Sequence, residues 1–341
     1  MLLYPLVGLR GRTVSARSMS LSSVASRSVV KLRCVKPAED FHMKTIPSIS
    51  ACICVWLAAA SVLGQATNNV TDQPYTLTNN IAYSNVDGQE LLLDAYIPKA
   101  DGKYPAVLVI HGGAWRFGNR KQLSNYARAL AEKGFSCFAI DYRLAPTHKF
   151  PAQIDDCRAA IKWIRNNANK YKVDTSKLGV IGYSAGGHLA TLLGTTGEEP
   201  NEQNGNVDMR VQAVVAGGAP TDFRWMPDNG KWAKYWMGGD LDSVPEKFRL
   251  ASSTAFVDVK DPPTFFFHGT RDTLVPLVWA NSCHLALKEA GVRTAMYRIR
   301  GADHIEAFQD KDALKKAFEF LVTELKGSPK PEGKVEAKLE R

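Results

Sequence analysis

Cysteine is scarce in this chain. Of the six among 341 residues, Cys34, Cys52 and Cys54 fall within the first 66, leaving Cys137, Cys157 and Cys283. An odd number without metal-ligand spacing argues against a disulfide framework, though one bridge in an oxidising compartment stays open. Three buried thiols packed as small apolar groups are expected instead. Long apolar runs are lacking too. Residues 49–63 form an apolar stretch shorter than the roughly 20 residues a membrane-spanning helix needs, so no stable span is expected. There is no G-x-G-x-x-G, no Walker sequence and no His/Cys/Asp cluster at metal spacing, so no cofactor and no metal are implied. Internal repeats are absent.

What is abundant is ordinary. Apolar residues make up 45% and charged ones 23%, enough for a sizeable core without staples. The formal charge of +9 suggests nucleic acid until it is located. Residues 1–66 hold eight of the basic residues and two of the acidic ones, leaving 35 basic against 32 acidic elsewhere. No basic stripe with interleaved aromatics survives there, so no nucleic-acid partner is expected. The leader itself is patterned. Met43-Lys44 opens a short basic region, residues 49–63 are apolar, and Gly64-Gln65-Ala66 has the small-x-small form of a cleavage site. Residues 43–66 therefore read as a signal peptide of a secreted or periplasmic protein, with a mature start near Thr67. Residues 1–42, rich in Ser and Arg, are expected to be an unstructured or spurious extension; a mitochondrial-type presequence is the alternative.

After the leader, residues 75–83 and 90–97 read as strands around Asn85-Val86-Asp87-Gly88, whose Asp-Gly is a hairpin signal. Residues 106–110 are continuously apolar, as in a strand buried on both faces. Strands are predicted again at 135–141, 178–182, 211–216, 263–268 and 294–299, and helices at 121–133, 185–193, 278–290 and 311–325. Ile154, Cys157, Ile161 and Ile164 mark one face of a further helix, with Asp155 and Asp156 in its first turn. This alternation predicts an α/β fold, a doubly wound and mostly parallel sheet, over residues 67–326. Between Asp222 and Ala255 the pattern breaks into a stretch holding Trp225, Trp232 and Trp236, either a cap-like insertion over the sheet's C-terminal edge or a surface excursion. Residues 327–341, rich in Lys, Glu and Pro, are expected to be a disordered tail.

Chemistry concentrates in a few loops. Gly182-Tyr183-Ser184-Ala185-Gly186 lies between a strand and a helix, the context of a nucleophile elbow. A serine hydroxyl needs a base, and the base an orienting carboxylate, expected in the order Ser, Asp, His. Asp272 follows the strand ending in Phe267-His268, and His304 follows the final strand, both at C-terminal strand ends where a doubly wound sheet keeps its site. Three rivals are set aside. His268 is expected to order the Asp272 loop, Asp303 to point away from the site, and His188 to pack within its helix. An oxyanion hole needs backbone N–H groups, for which Ala185 and the glycine-rich loop His111-Gly112-Gly113-Ala114-Trp115 are the sources. His111 itself is expected to bond loop carbonyls.

Five segments now stand in order: His111-Gly112-Gly113-Ala114-Trp115, Asp141-Tyr142-Arg143-Leu144-Ala145-Pro146, Gly182-Tyr183-Ser184-Ala185-Gly186-Gly187, His268-Gly269-Thr270-Arg271-Asp272 and Gly301-Ala302-Asp303-His304. Together they resemble the carboxylesterases of the α/β-hydrolase superfamily, in the feruloyl- and acetyl-xylan-esterase-like branch near the hormone-sensitive-lipase group. The resemblance spans about residues 77–325. It implies an eight-stranded sheet, Ser184, Asp272 and His304 as triad, and the N–H groups of Gly113, Ala114 and Ala185 as oxyanion donors. It also implies a small-molecule or polysaccharide-linked ester as substrate. Ala114 replaces the lipase-like group's third loop glycine, which a backbone donor tolerates, and Tyr183 stands where that group has Asp. A prolyl-oligopeptidase-like peptidase shares the terminal motifs, but the chain lacks room for its gating propeller. An inactive binding protein of this fold would lack a triad member, and none is missing here. A dienelactone-hydrolase-like enzyme would carry Cys at the elbow.

Overall fold

A computed structural model of the chain describes residues 73–197, 205–224 and 231–327, with the backbone alone at 231–233. The expected segments 1–42 and 43–66, the tail beyond Gly327, Trp225 and the Trp232 side chain lie outside the described residues. Strands β1 (Tyr75–Val86) and β2 (Gln89–Pro98) form the predicted hairpin. Its two-residue turn sets Asp87 at φ 53° and Gly88 at φ 83°, the paired positive values whose twist matches the strands and which Asp-Gly accepts readily. The remaining strands are β3 (Tyr104–Ile110), β4 (Ser136–Ile140), β5 (Val173–Tyr183), β6 (Ala213–Gly217), β7 (Thr264–Gly269) and β8 (Thr294–Ile299). They lie in the order β1-β2-β4-β3-β5-β6-β7-β8. Only β1–β2 and β2–β4 are antiparallel; the other pairs are parallel.

Helices cover both faces of this sheet, and β3 shows why its sequence is apolar throughout. Ala106, Leu108 and Ile110 join one core with helices α2 (Ala152–Asn166) and α3 (Ala185–Thr195), whereas Val107 and Val109 join the opposite core. That second core holds α1 (Ser124–Glu132) and the closing helix of the chain, Lys311–Lys326. Successive side chains of a strand point to opposite faces, so a strand covered on both sides has no position left for polar residues. The four predicted residues of α2 are buried as expected. Asp156 does more than meet a helix dipole. Its carboxylate accepts hydrogen bonds from the Arg143 backbone N–H at 2.7 Å and from the Arg143 guanidinium, fastening the loop after β4.

Two stretches differ from the sequence expectation. Strand β5 begins at Val173, earlier than predicted, because Thr175, Ser176 and Lys177 are exposed and carry no apolar period. The Trp-rich region contains helices α4 (Lys231–Met237) and α5 (Pro245–Ala251) and a 3-10 turn at Ser253–Ala255. Its described part packs into the fold. Trp236 is fully buried and stacks on Trp115 with ring centroids 3.6 Å apart, and its indole N–H donates to Gln153 Oε1 at 3.1 Å. Cys137, Cys157 and Cys283 are buried free thiols. Among the described residues no helix is long and apolar enough to cross a membrane.

Candidate active site

The loops at the C-terminal ends of β3, β5, β7 and β8 carry the predicted residues. After β5 the chain turns through Ser184 at φ 56° and ψ −122°, a conformation that L residues adopt only where the surroundings enforce it. Two glycines enforce it by close approach. A Cβ on Gly186 would lie 2.0 Å from the Ile110 carbonyl oxygen, and one on Gly182 would lie 2.2 Å from that of Gly186. The Ser184 N–H donates to the Gly217 carbonyl at 2.8 Å, and its own carbonyl accepts the first helical bond from His188 at 2.9 Å. The hydroxyl caps nothing, although it stands where a serine usually caps a helix. It is left for other chemistry.

Asp272 and His304 meet. His304 Nδ1 lies 2.6 Å from Asp272 Oδ2, and both side chains are buried. A carboxylate can only accept here, so Nδ1 carries the proton and Nε2 is the free base. Nε2 is buried and has no hydrogen-bond partner among the described residues, so the bond to the Ser184 hydroxyl is not formed. Such bonds often close only with substrate bound. The other Asp272 oxygen accepts from the backbone of Leu274 at 3.1 Å and of Val275 at 2.8 Å. Burial alone would raise the Asp272 pKa, but hydrogen bonds and charge from His268 and His304 outweigh it and hold the carboxyl down at about 2.

The rivals behave as the sequence suggests. His268 Nε2 donates to the Val275 carbonyl at 2.8 Å and lies 3.2 Å from Asp272, so it orders the loop. Asp303 caps a short helix, His304–Phe308, that the sequence pattern does not announce through apolar periodicity. Its side chain accepts from Ile305 and Glu306, while Glu306 reaches back to the Asp303 N–H, a complete capping box. His111 Nδ1 lies 2.7 Å from the Gly112 carbonyl, and its ring stacks on Tyr142. His188 is fully buried, and its partners settle its tautomer. Nε2 faces the Ala251 carbonyl at 2.7 Å and must donate, whereas Nδ1 accepts from the Trp115 indole at 3.1 Å.

In the glycine loop Gly113 sits at φ 106°, where a Cβ would meet the Phe117 carbonyl oxygen at 2.2 Å. Ala114 and Trp115 sit at φ 52° and 59°, also positive. Alanine at 114 keeps the backbone donor, yet its conformation is one glycine would hold at lower cost, of order 1–2 kcal/mol. Ala185 opens α3, so its N–H belongs to the set that a helix leaves without an intrahelical acceptor. Tyr183, where the resemblance departs, is buried and donates its hydroxyl to the His304 carbonyl at 2.6 Å.

Burial also sets how stability responds to acid. His111 and His188 are pushed down to about 4, chiefly by burial, from an ordinary 6.5. Between those values the unfolded chain binds two protons that the native chain does not, so stability falls as pH falls. His284, lowered by partial burial and by Arg298 and Lys288, acts the same way. Asp261, raised to about 7 by burial, acts oppositely, since it loses a proton on unfolding. The expected result is net proton uptake on unfolding at pH 5, seen as a urea midpoint that drops from pH 6.5 to 4.5. Asp261→Asn should steepen that drop; a midpoint flat over this range would contradict the burial of both histidines.

A family model, BD-FAE, matches residues 93–287. Esterase LipC of Mycobacterium tuberculosis is 36% identical over 213 residues, covering 59% of this chain and 52% of that protein. Esterase LipQ of the same organism is 31% identical over 64% of this chain and 55% of its own length. The chain thus spans about half the length of these relatives. Among solved structures, a truncated carbohydrate esterase from gut microbiota is 28% identical with a TM-score of 0.67, covering 75% of this chain and 99% of that one. A thermophilic esterase of Thermogutta terrifontis with butyrate bound is 26% identical with a TM-score of 0.62, covering 76% and 97%.

Proposed function

Because the chain belongs to the BD-FAE family, we propose that it is a serine carboxylesterase that cleaves small acyl esters through an acyl-enzyme. The observation that carries this reading is the Asp272–His304 pair, which leaves a free imidazole nitrogen at the strand ends where the strained Ser184 turn also lies. His304 Nε2 takes the proton of the Ser184 hydroxyl, and the oxygen attacks the ester carbonyl. The N–H groups of Gly113, Ala114 and Ala185 stabilise the tetrahedral oxyanion, where preorganised donors are worth most. His304 then protonates the departing alcohol, and next takes a proton from the water that hydrolyses the acyl-enzyme. Asp272 keeps the ring in the tautomer this sequence needs.

Short acyl groups are favoured by the likeness to the butyrate-bound esterase, and a saccharide alcohol by the likeness to the gut carbohydrate esterase. Acetyl or feruloyl groups on plant polysaccharide are the substrates this reading puts first. The basic-then-apolar leader of the sequence supports export, to the medium or periplasm, where such substrates are met. The test is a panel of p-nitrophenyl acetate, butyrate and decanoate beside acetylated and feruloylated xylan, with labelling by a fluorophosphonate probe. Turnover of the short esters and a label on Ser184 are expected. A protein that neither turns over any of them nor takes the label is not an esterase of this kind.

A further inference from the structure

We propose that Tyr235, on helix α4 of the inserted segment, is a positioning residue for the oxyanion hole. This rests on the esterase reading and adds a part to its machinery that lies outside the triad and the glycine loop. The loop bearing two of the three donors is strained twice over, since Ala114 and Trp115 are consecutive L residues at positive φ. Such a conformation persists only where neighbours over-determine it. Each carbonyl of the strained stretch is held. Gly113 O accepts from the Arg116 N–H at 3.0 Å and the Phe117 N–H at 2.8 Å, and Trp115 O accepts from the Ala145 N–H at 2.9 Å. Ala114 O accepts from the Tyr235 hydroxyl at 3.0 Å. The first hold comes from within the loop and the second from the backbone after β4, whereas the third comes from a side chain 121 residues away.

The geometry explains what that third hold does. In a trans peptide the N–H and C=O point in opposite directions, so fixing Gly113 O aims the Ala114 N–H away from the loop. The planes before and after Ala114 turn together through its φ and ψ. Releasing Ala114 O therefore lets the pair of planes rotate toward a relaxed backbone, and the Ala114 donor swings off its line. Helix α4 can resist this because it is itself anchored. The Phe150 N–H donates to Trp236 O at 2.9 Å, Trp236 stacks on Trp115, and Lys247 Nζ donates to Met237 O at 2.9 Å. The Arg116 guanidinium lies over the half-buried Tyr235 ring, 5.3 Å from its centre. The inserted segment thus buttresses the donors rather than serving only to cover the sheet edge.

Tyr235→Phe removes one hydroxyl and leaves the ring. Losing an oxyanion donor outright costs 10²–10³ in kcat, so losing the hold on one is expected to cost about tenfold. On p-nitrophenyl acetate kcat should fall by that factor with KM within about twofold of the parent, because the ground-state ester does not use the hole fully. A trifluoromethyl ketone gives the sharper reading. The Ser184 hydroxyl adds to its carbonyl, the proton passes to His304, and the product is a tetrahedral oxyanion in the hole. Its Ki should rise by the same factor as kcat/KM falls. An inactive parent would overturn the esterase reading itself. With an active parent, an unchanged kcat and Ki, a rise in KM alone, or a Ki that does not follow kcat/KM overturns the role of Tyr235. So does a phenylalanine variant that fails to fold, since the side chain is then needed for folding and not for positioning.

Discussion

Ser184→Ala is expected to lower kcat on p-nitrophenyl acetate by at least about 10³-fold while the melting temperature stays within a few degrees of the parent. The two halves of that result are linked by one feature of the turn. A serine at a helix start ordinarily stabilises it by accepting from a free N–H, and its loss costs about 1 kcal/mol. Here the hydroxyl makes no capping bond, because φ 56° turns the side chain away from the first helical amides. Alanine keeps the Cβ and hence the strain, and it removes only an oxygen that the fold does not use. A structural serine would show the reverse pattern, with stability lost and activity kept. Residual turnover should not vanish, because oxyanion donors and substrate binding still act without a nucleophile. The fluorophosphonate label, by contrast, requires the Ser184 oxygen and should disappear. A variant that keeps more than a tenth of the parent kcat would move the nucleophile elsewhere.

How much of this site could be read beforehand follows from how far each interaction reaches. The elbow was legible because its requirement is local: Gly182 and Gly186 flank Ser184, and both stand where a Cβ would strike backbone. Asp272 and His304 lie 32 residues apart, but each directly follows a strand, so the order of strands was enough to bring them together. The hairpin at Asp87-Gly88 was legible for the same local reason. The short helix His304–Phe308 was missed although its signal was present, an Asp followed three residues later by Glu. What no local pattern contains are the holds on the glycine loop. Tyr235 reaches Ala114 across 121 residues and His188 reaches Trp115 across 73, and neither pair has a spacing that betrays it. A backbone donor is indifferent to its side chain, so in the sequence Ala114 reads as a tolerated change; the cost lies in its positive φ, which no residue type betrays.

Asp272→Asn should be as damaging as losing the nucleophile's base, with kcat down by about 10³–10⁴ and KM little changed. The reason lies in a count of donors. Asp272 Oδ1 accepts from two backbone N–H groups, and Oδ2 faces His304 Nδ1 and His268 Nε2. Every neighbour donates, and an asparagine has only one oxygen to offer. If its NH2 faces Leu274 and Val275, two pairs of donors collide and the backbone cannot change its chemistry. If the NH2 faces the rings instead, His304 can yield by moving its proton from Nδ1 to Nε2. His268 cannot yield as easily, because its Nε2–H is held by the Val275 carbonyl. The amide therefore selects the wrong His304 tautomer, and the nitrogen meant to receive the Ser184 proton already carries one. Protonation of the native carboxyl does not mimic this in an ordinary assay, since its pKa of about 2 keeps it ionised well into acid. The checks are kcat, KM and the proton resonance of the His304 ring N–H, which should move from Nδ1 to Nε2. Asp303→Asn is the matching control. Its carboxylate only caps the short helix, and an asparagine Oδ1 accepts the same two N–H groups, so it should change stability by less than about 1 kcal/mol, keep kcat and leave the ring proton on Nδ1. If the two variants exchanged these effects, the orienting carboxylate would be Asp303 and the Asp272 loop a structural one.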